Sequence, residues 1–469
     1  MKTHHIIYTL FALSMMLTSC KKFLDIERGN SSAIIKTVED CQLLLDDYSK
    51  MNAGYPYDGE ISADDYFVLD ATLNAQGTAV LPEEKSFYFW TPTAQRAVGE
   101  VNWLNAYQAI YNANLALDNL EKIRDEGGNL AEINPVKGSA LFFRAFSFWQ
   151  IAQLYAKPYS ATTSAQDPGI PLRLKSDIND PSSRGTVLDT YNRIIQDLTD
   201  AANLLPNTSS IASRPNKAAA YAMLARTYLS MQDYPKALVN ANAALQLKST
   251  LLNYGVDVNI ASPIPFPRFR NPEVIFHSSC ARSNILAPGI ATASVAKIDR
   301  TLAASYATND LRRRIFLKPN LGAVHGGTFR FTGNYDGNTT SVFFNGLAVD
   351  ELYLIRAECN ARAGNTEVAM KALNDLLITR WDTSVDPYVD LTAANPDEAL
   401  TKILEERRKE LLMRGLRWSD LRRLNNIELV RRVDGNGAIT ATLPINSSRY
   451  TLLIPADVIN SGNIPQNAR

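Results

Sequence analysis

Apolar residues recur at helical spacing along most of this chain. A stripe begins near Trp103 and steps through Tyr107 and Ile110 to Ile123, as expected for one face of a long helix. The segment 135–155 is apolar on nearly every face, which predicts a helix buried between neighbours. The same period predicts further helices at 38–48, 187–205, 396–414 and 418–424. The pattern therefore predicts a mainly α-helical protein.

The segment 216–248 predicts two short helices folded back on each other. Its first half carries the W-x2-L-G-x2-Y spacing that opens a tetratricopeptide repeat (TPR), at Tyr221, Leu224, Ala225 and Tyr228. Ala237 and Ala244 follow in the second half, where close packing of antiparallel helices needs small residues. Such a hairpin cannot bury its apolar face alone, so we expect neighbouring hairpins to stack on it.

A second match to the repeat begins at Leu347, and the stretch between the two matches breaks the helical period. Prolines recur between 252 and 346, while 55–69 reads as a further loop. Within the stretch, 328–332 and 341–344 flank a turn sequence at 335–338 and predict a β-hairpin. Asp434-Gly435 predicts another. We therefore expect TPR-type helical hairpins stacked as a scaffold, at about 102–250 and 347–425, with an irregular loop-rich insertion at about 252–346 and short β-hairpins.

The N-terminus has the layout of a secretory signal. Lys2 precedes an apolar run at 6–17 that is too short to span a bilayer as a permanent helix. The run ends in Leu17-Thr-Ser-Cys20, which resembles the bacterial lipobox, whose cysteine is lipidated and becomes the new N-terminus. We expect residues 1–19 to be a lipoprotein signal peptide and 20–469 a single domain held to a membrane by acyl chains on Cys20. The alternative is a plain signal peptide with an accidental cysteine.

Charge, cysteine and histidine content limit the partners, disulfides and metal sites that we expect. Lysine and arginine number 48, as do aspartate and glutamate, so the net charge is +0 and gives no indication of nucleic acid or an anionic membrane surface as partner. With Cys20 acylated, Cys41, Cys280 and Cys359 remain, which allow at most one disulfide and require none. No CxxC is present, and neither His277 nor His325 has metal-ligand spacing around it, so no metal or cofactor is predicted.

The densest charged stretch, 405–423, holds the best candidates for acid–base chemistry. Glu406 and Glu410 lie one helical turn apart, which could serve general acid–base catalysis. Each acid also has arginines within helical reach, so a structural ion-pair network between packed helices is the favoured interpretation. Arg144, in an apolar helix, is expected to form a similar buried pair. No catalytic residue is assigned.

Aromatic side chains in the predicted loops are the candidates for binding. Sugar rings have apolar C–H faces that stack on flat aromatics, while Asn, Asp and Arg can bind the hydroxyl groups. The alternative is that these side chains only hold the loops in place. The ligand-binding candidates are Tyr66, Trp90, Asn102, Phe269, Tyr306 and Tyr335.

Taken in order, these segments resemble the SusD/RagB outer-membrane nutrient-uptake lipoproteins of Bacteroidota. The segments that carry the resemblance are Cys20-Lys-Lys-Phe-Leu-Asp-Ile, Trp103-x3-Tyr107-x2-Ile110-x3-Asn114, Arg144-Ala145, Gly169-Ile-Pro171, 191–206, the two TPR units, 406–423 and Gln466-Asn467. Arg414 departs from the glutamate usual in the family, and the terminal 461–467 is slightly short of the usual motif.

The resemblance implies a surface protein that acts as a lid over a TonB-dependent SusC-like transporter in the outer membrane. Such proteins capture oligosaccharides, or peptides in some branches, and deliver them to the pore without catalysis or cofactor. Their TPR face packs on the transporter and their irregular loops hold the ligand. Two rivals remain: a TPR scaffold lipoprotein for outer-membrane assembly, and a glycoside hydrolase, which needs two acids facing across a cleft.

Overall fold

Capping side chains begin the helices at the positions where the sequence supplies them. In the computed structural model, which describes residues 35–75, 80–180 and 182–469, Asn216 accepts a hydrogen bond from the Ala219 amide at 2.9 Å. Asp233 likewise accepts from the Lys236 amide at 3.2 Å. Each cap satisfies an amide that has no partner within its helix, so the hairpin predicted at 216–248 begins and turns as expected. The predicted signal peptide and Cys20 lie outside the described residues.

The segment before residue 100 is more ordered than expected. Its elements are α1 (Val38–Leu45), α2 (Tyr48–Met51), α3 (Asp58–Ser62), β1 (Tyr66–Phe67), α4 (Asp70–Asn74) and α5 (Pro82–Tyr88). The loop predicted at 55–69 is therefore wrong, because it contains α3 and β1. Asp58 of this segment is buried by pairing: its carboxylate lies 2.6 Å from the Arg96 guanidinium, and both side chains are almost fully enclosed.

Long antiparallel helices follow and form the first half of the scaffold. A π-helical turn, Glu100–Leu104, leads into α6 (Asn105–Asp125), α7 (Leu130–Tyr155), β2 (Pro168–Pro171), β3 (Arg184–Thr186), α8 (Val187–Leu204), α9 (Lys217–Ser230) and α10 (Tyr234–Leu247). Helix α7 begins before Pro135 because Asn129 caps it at the Ala131 amide. It is buried along most of its length, as its apolar pattern predicts.

The predicted insertion interrupts the long helices with short elements. These are α11 (Tyr254–Asp257), β4 (Val274–Phe276), β5 (Lys297–Ile298), α12 (Arg300–Ser305), α13 (Leu311–Phe316), β6 (Leu317–Pro319), β7 (Phe329–Phe331) and β8 (Leu347–Ala348). The hairpin predicted between 328–332 and 341–344 is wrong, since β7 pairs with β6 in the register Leu317↔Phe331. The Tyr335 hydroxyl donates to Glu273 at 2.7 Å in the core, which draws the intervening turn inward.

The second half of the scaffold resumes at Val349. It comprises α14 (Val349–Arg362), α15 (Thr366–Leu377), a 3₁₀ turn (Ile378–Arg380), α16 (Pro396–Glu410), α17 (Arg417–Leu424), β9 (Leu429–Arg432), β10 (Ile439–Leu443) and α18 (Ala456–Gly462). Strands β9 and β10 form the hairpin predicted at Asp434-Gly435. The other two-stranded pairs are β1–β5, β2–β3 and β4–β8, all antiparallel.

The two helical halves pack directly on each other. Helix α10 lies against α14, and Arg226 of α9 meets Glu351 of α14 at 2.6 Å with both side chains buried. Thr37–Arg469 make one compact unit. Among the described residues, no helix has the length and apolar character needed to cross a membrane. The mainly helical, TPR-type fold with short strand pairs is confirmed.

Candidate functional site

The charged stretch 405–423 is a buried ion-pair network, as the sequence indicates. Arg312 lies 2.6 Å from Glu406 and 3.0 Å from Glu410, and Arg380 meets Glu410 at 2.9 Å. Burial disfavours the charged form of Glu406, but the charges of Arg312 and Lys409 and their hydrogen bonds together outweigh it and lower the pKa of this carboxyl. An acid held ionised in this way is poorly suited to donate a proton.

A second part of the network surrounds Asp420. Arg407 and Arg423 each lie 2.8 Å from its carboxylate. Burial opposes ionisation, yet these two guanidiniums lower the pKa of Asp420 to about 2. The pair predicted for Arg144 also exists, with Asp197 at 2.7 Å. These groups hold helices together, so the network by itself gives no sign of acid–base chemistry.

Five of the six ligand-binding candidates are buried, so the expectation of exposed aromatic rings is wrong for Tyr66, Trp90, Tyr306 and Tyr335. Each has a partner inside the protein: Tyr66 Oη donates to Ile61 O, Trp90 Nε1 to Ser62 O, Tyr306 Oη to Lys409 O and Tyr335 Oη to Glu273, while Asn102 Oδ1 accepts from the Tyr57 amide. A side chain buried in this way offers no face to a ligand, although Nδ2 of Asn102 forms no hydrogen bond.

The burial of Tyr66 and Trp90 has a specific cause. The Arg431 guanidinium lies 5.2 Å from the Tyr66 ring centroid and 4.7 Å from that of Trp90. Its N–H groups donate to backbone carbonyls, including Tyr66 O at 2.9 Å. The rings and the carbonyls together solvate a charge that has no carboxylate partner, which is the role these aromatics have.

Phe269 is the exposed candidate. Its side chain is 52% exposed, and its backbone has φ of 61°, a left-handed conformation that is costly for a bulky residue. The ring packs edge-on against Tyr48 at 5.7 Å, and the Arg268 guanidinium lies 5.9 Å from its centroid. This aromatic and cationic patch lies on an open surface, so it can support a ligand but cannot enclose one.

A concave site is formed by residues 305–312 of the insertion and residues 377–409 of the second half of the scaffold. We call it the Trp381 cavity. It has a volume of about 300 Å³ and is lined by Ser305, Ala307, Asp310, Arg312, Leu377, Arg380, Trp381, Asp386, Pro387, Tyr388, Val389, Leu391, Glu406 and Lys409. Apolar walls with a few convergent polar groups are typical of small-molecule sites, whose volumes start at about 300 Å³.

Two aromatic rings form one wall of the Trp381 cavity. The centroids of Trp381 and Tyr388 lie 5.8 Å apart with their planes at 68°. Trp381 Nε1 donates to Asp386 O at 3.0 Å, and Tyr388 Oη donates to Asn374 Oδ1 at 2.7 Å. Both rings are half-buried, so each retains surface for a ligand while its polar atom is fixed.

Charged groups form the opposite wall. Arg312 bridges Asp310 at 2.7 Å and Glu406 at 2.6 Å, and Lys409 donates to the other Glu406 oxygen at 2.6 Å. Tyr306 is not part of the cavity lining, but its hydroxyl donates to the Lys409 carbonyl at 2.8 Å and so helps to hold Lys409 in place. The cavity therefore combines flat apolar surface with fixed hydrogen-bonding groups, a combination suited to a saccharide.

A larger cavity of about 830 Å³ lies beside the α9–α10 turn and the C-terminal segment. Its aromatic surface is less available, since the Tyr450 ring is covered by Trp418 at 5.2 Å. Its Arg422 guanidinium donates to the carbonyls that end α7, among them Ala152 O at 3.4 Å, which is a helix-capping role. The Trp381 cavity is therefore the better candidate.

Sequence reasoning missed Trp381 and Tyr388. They lie in Trp381-Asp-Thr-Ser-Val-Asp-Pro-Tyr388, between helices predicted at either side. An aromatic residue at each end of a loop containing proline and aspartate was the available signal. Among the described residues, no group of three or more His, Cys, Asp or Glu side chains is arranged to hold a metal ion. Cys41, Cys280 and Cys359 are buried, free thiols.

Comparisons with known proteins agree with this architecture. Residues 22–229 match a SusD-like family described as starch-binding and associating with the outer membrane, and residues 349–446 match the SusD family. The SusD-like protein P2 of Formosa agariphila is 25% identical over 421 residues, covering 78% of this chain and 79% of that protein.

Solved structures share the fold. A SusD superfamily protein from Bacteroides thetaiotaomicron has a TM-score of 0.71 at 21% identity, covering 92% of this chain and 100% of that one. A sugar binding protein, so described, from Bacteroides vulgatus has a TM-score of 0.72 at 20% identity, with coverage of 93% and 99%. At these identities the solved structures show only that the fold is shared. The matches to the SusD family models show the family relationship. The chain belongs to the SusD/RagB family.

Proposed function

We propose that this protein is a nutrient-binding lipoprotein of the cell surface that captures an oligosaccharide in the Trp381 cavity. The observation that carries the proposal is the pairing of two half-buried aromatic rings with a wall of fixed charged groups in one cavity. Rings of this kind cover the apolar face of a sugar, and the charged wall supplies partners for its hydroxyl groups. The family match, which includes a description as starch-binding, supports a saccharide as ligand.

Delivery to a transporter is the second part of the proposal. The stacked helices of the TPR-type scaffold would dock on a SusC-like TonB-dependent transporter in the outer membrane, as the family resemblance implies. The irregular segments that form the Trp381 cavity would then stay free for the ligand. Lipid on Cys20 would hold the protein on the outer face of that membrane.

The acids of the Trp381 cavity favour binding over hydrolysis. A glycosidase needs one carboxylic acid that can donate a proton, facing a second acid. Asp310 and Glu406 instead share Arg312 at 2.7 and 2.6 Å, and the pKa of Glu406 is lowered although burial alone would raise it. Asp386, the third acid of the lining, is exposed and has no second unpaired acid among the lining residues to act with. We therefore assign no catalysis to this cavity.

The proposal is tested by two experiments on the mature protein. An array of neutral and acidic oligosaccharides should reveal at least one class that binds, with a peptide library as the comparison arm. Affinity purification from membranes of the native host should recover a TonB-dependent transporter. If only peptides bind, the ligand is a peptide and not a saccharide. If neither binds and the purification recovers only proteins of outer-membrane assembly, the scaffold alternative is favoured.

A further inference from the structure

A small internal cavity lies where four separate segments of the chain meet. It is bounded by Glu60 of α3, the end of α7, Asn345 near the end of the insertion, and the turn between α16 and α17, which includes Gly415 and leads into Trp418. The space in which the centre of a water molecule can lie is about 20 Å³. A single water needs about 10–15 Å³ by this measure, so the cavity has room for about one.

Polar atoms without partners from three of these segments line the same cavity. Both carboxyl oxygens of Glu60, Nδ2 of Asn345 and Nε1 of Trp418 are buried and have no hydrogen bond of normal geometry, although the Gly415 amide lies close enough to Glu60 to lower the pKa of its carboxyl. Folded proteins leave few buried polar atoms unpaired, and those that remain often mark a bound water or ion. The convergence of such atoms on one cavity therefore indicates an occupant.

We propose that this cavity is a binding site for one internal water molecule that bridges Glu60, Asn345 and Trp418. Trp418 Nε1–H and Asn345 Nδ2–H donate to the two lone pairs of the water, and the water donates to the Glu60 carboxyl. With an ionised Glu60 this set matches the two donors and two acceptors of a water molecule. A cation does not fit, because two N–H groups would point at it. The Asn345 oxygen is not available either, since it accepts from Ser278 Oγ at 2.8 Å.

Burial and the nearby charge of Asp65 favour a neutral Glu60. Burial is the largest influence and raises the pKa of Glu60 to about 8, and the nearby Asp65 raises it further. The Gly415 amide and Arg417 act in the opposite direction, and the Asp64 charge adds to the increase. A protonated carboxyl avoids an unpaired buried charge. Its O–H then donates to the water in place of one of the two N–H groups, and its carbonyl oxygen still accepts from the water.

The stability of the protein should depend on pH through Glu60. Because the folded pKa is raised above the ordinary value of 4.5, the contribution is present in full below that value and is lost as pH rises through about 8. Between these values the folding equilibrium constant should fall by up to about tenfold per pH unit through this group alone.

Crystallography of the full mature chain tests the site directly. We expect one density peak about 2.7–3.2 Å from the Glu60 carboxyl, Asn345 Nδ2 and Trp418 Nε1. An empty cavity, a direct hydrogen bond between Glu60 and Trp418 that closes it, or a peak at metal–oxygen distance would overturn the proposal.

Two variants and a control test the same site in solution. Glu60→Gln keeps the shape and an acceptor, so its melting temperature should decline less steeply from pH 5 to pH 8 than that of the native protein, while the density peak remains. The decline due to Glu273, whose pKa is also raised by burial, to about 7, should persist in the variant. Trp418→Phe removes one donor and should lower the occupancy of the water. Glu39→Gln, at an exposed position on α1, should leave both readouts as in the native protein. A Glu60→Gln profile parallel to the native one would contradict a neutral, water-bridged Glu60.

Discussion

The Tyr388 hydroxyl donates to Asn374 Oδ1 at 2.7 Å, one of three contacts by which this amide holds the loop of Tyr388 on the scaffold. Asn374 is on α15, and its side chain also bonds both backbone groups of Leu391, each at 2.9 Å. A single amide of a scaffold helix therefore anchors the loop that carries Tyr388. The position of the ring is set before any ligand arrives, which reduces the entropic cost of binding.

Asn374→Ala should loosen this loop. It leaves the Tyr388 hydroxyl and both backbone groups of Leu391 without a partner, so stability should fall by roughly 1–3 kcal/mol and ligand affinity should fall as well. Tyr388→Phe, which removes the hydroxyl and keeps the ring, is the matched control and should change affinity little. Urea denaturation and ligand titration measure the two effects. Full affinity in Asn374→Ala would show that the anchor is unimportant.

Asp420→Asn should destabilise the protein at neutral pH. It leaves Arg407 and Arg423 without the charge that lies 2.8 Å from each, which costs about 3–5 kcal/mol for a buried pair broken on one side. The pKa of Asp420 is about 2 in the folded protein against an ordinary 3.8, so its contribution is present above 3.8 and is lost as pH falls through about 2.

The difference between native protein and Asp420→Asn should therefore shrink as pH falls from 4 to 2. Denaturation midpoints at a series of pH values measure it. Glu428→Gln, at an exposed position, is the control and should follow the native curve. A difference that stays constant down to pH 2 would mean that Asp420 is not held ionised by these arginines.

The number of cysteine thiols that react with a reagent tests whether Cys20 carries lipid. Burial raises the pKa of Cys41 to about 11 and of Cys280 and Cys359 to about 12. None of the three should react with a thiol reagent at pH 8 in the folded protein, since the thiolate is the reactive form. Protein extracted from membranes and unfolded should show three reactive thiols if Cys20 carries lipid. A count of four would contradict an anchor on Cys20.

Phe269 should show backbone strain. Its φ of 61° costs a non-glycine residue about 1–2 kcal/mol, while glycine adopts it freely. Phe269→Gly should therefore be more stable than Phe269→Ala by about 1 kcal/mol, because both lose the ring and only alanine keeps the strain. Thermal denaturation of the two variants measures the difference. Equal stability would mean that the loop relaxes at no cost.

The sequence predicted the parts of the fold that depend on local pattern. Helical period located the long helices, as the hairpin at 216–248 shows. Arginines within helical reach predicted the pairing of Asp420, which Arg423 bears out, whereas the arginine that pairs with Glu406 is Arg312, far away in sequence. The burial of Tyr66 and Trp90 could not be predicted, because it depends on Arg431, which lies more than 300 residues away in sequence. The Trp381 cavity was missed for a related reason: its walls come from the insertion, a loop and α16, and periodicity carries no information on how those segments meet.

The most direct test is calorimetric titration of the native protein and Trp381→Ala with the oligosaccharide that the array selects. We predict that Trp381→Ala binds at least about tenfold more weakly, a loss of about 1.4 kcal/mol. Tyr353→Ala, which removes a half-buried aromatic ring from α14 away from the Trp381 cavity, should bind as the native protein does. Equal affinity of native protein and Trp381→Ala would contradict the assignment of this cavity as the saccharide site.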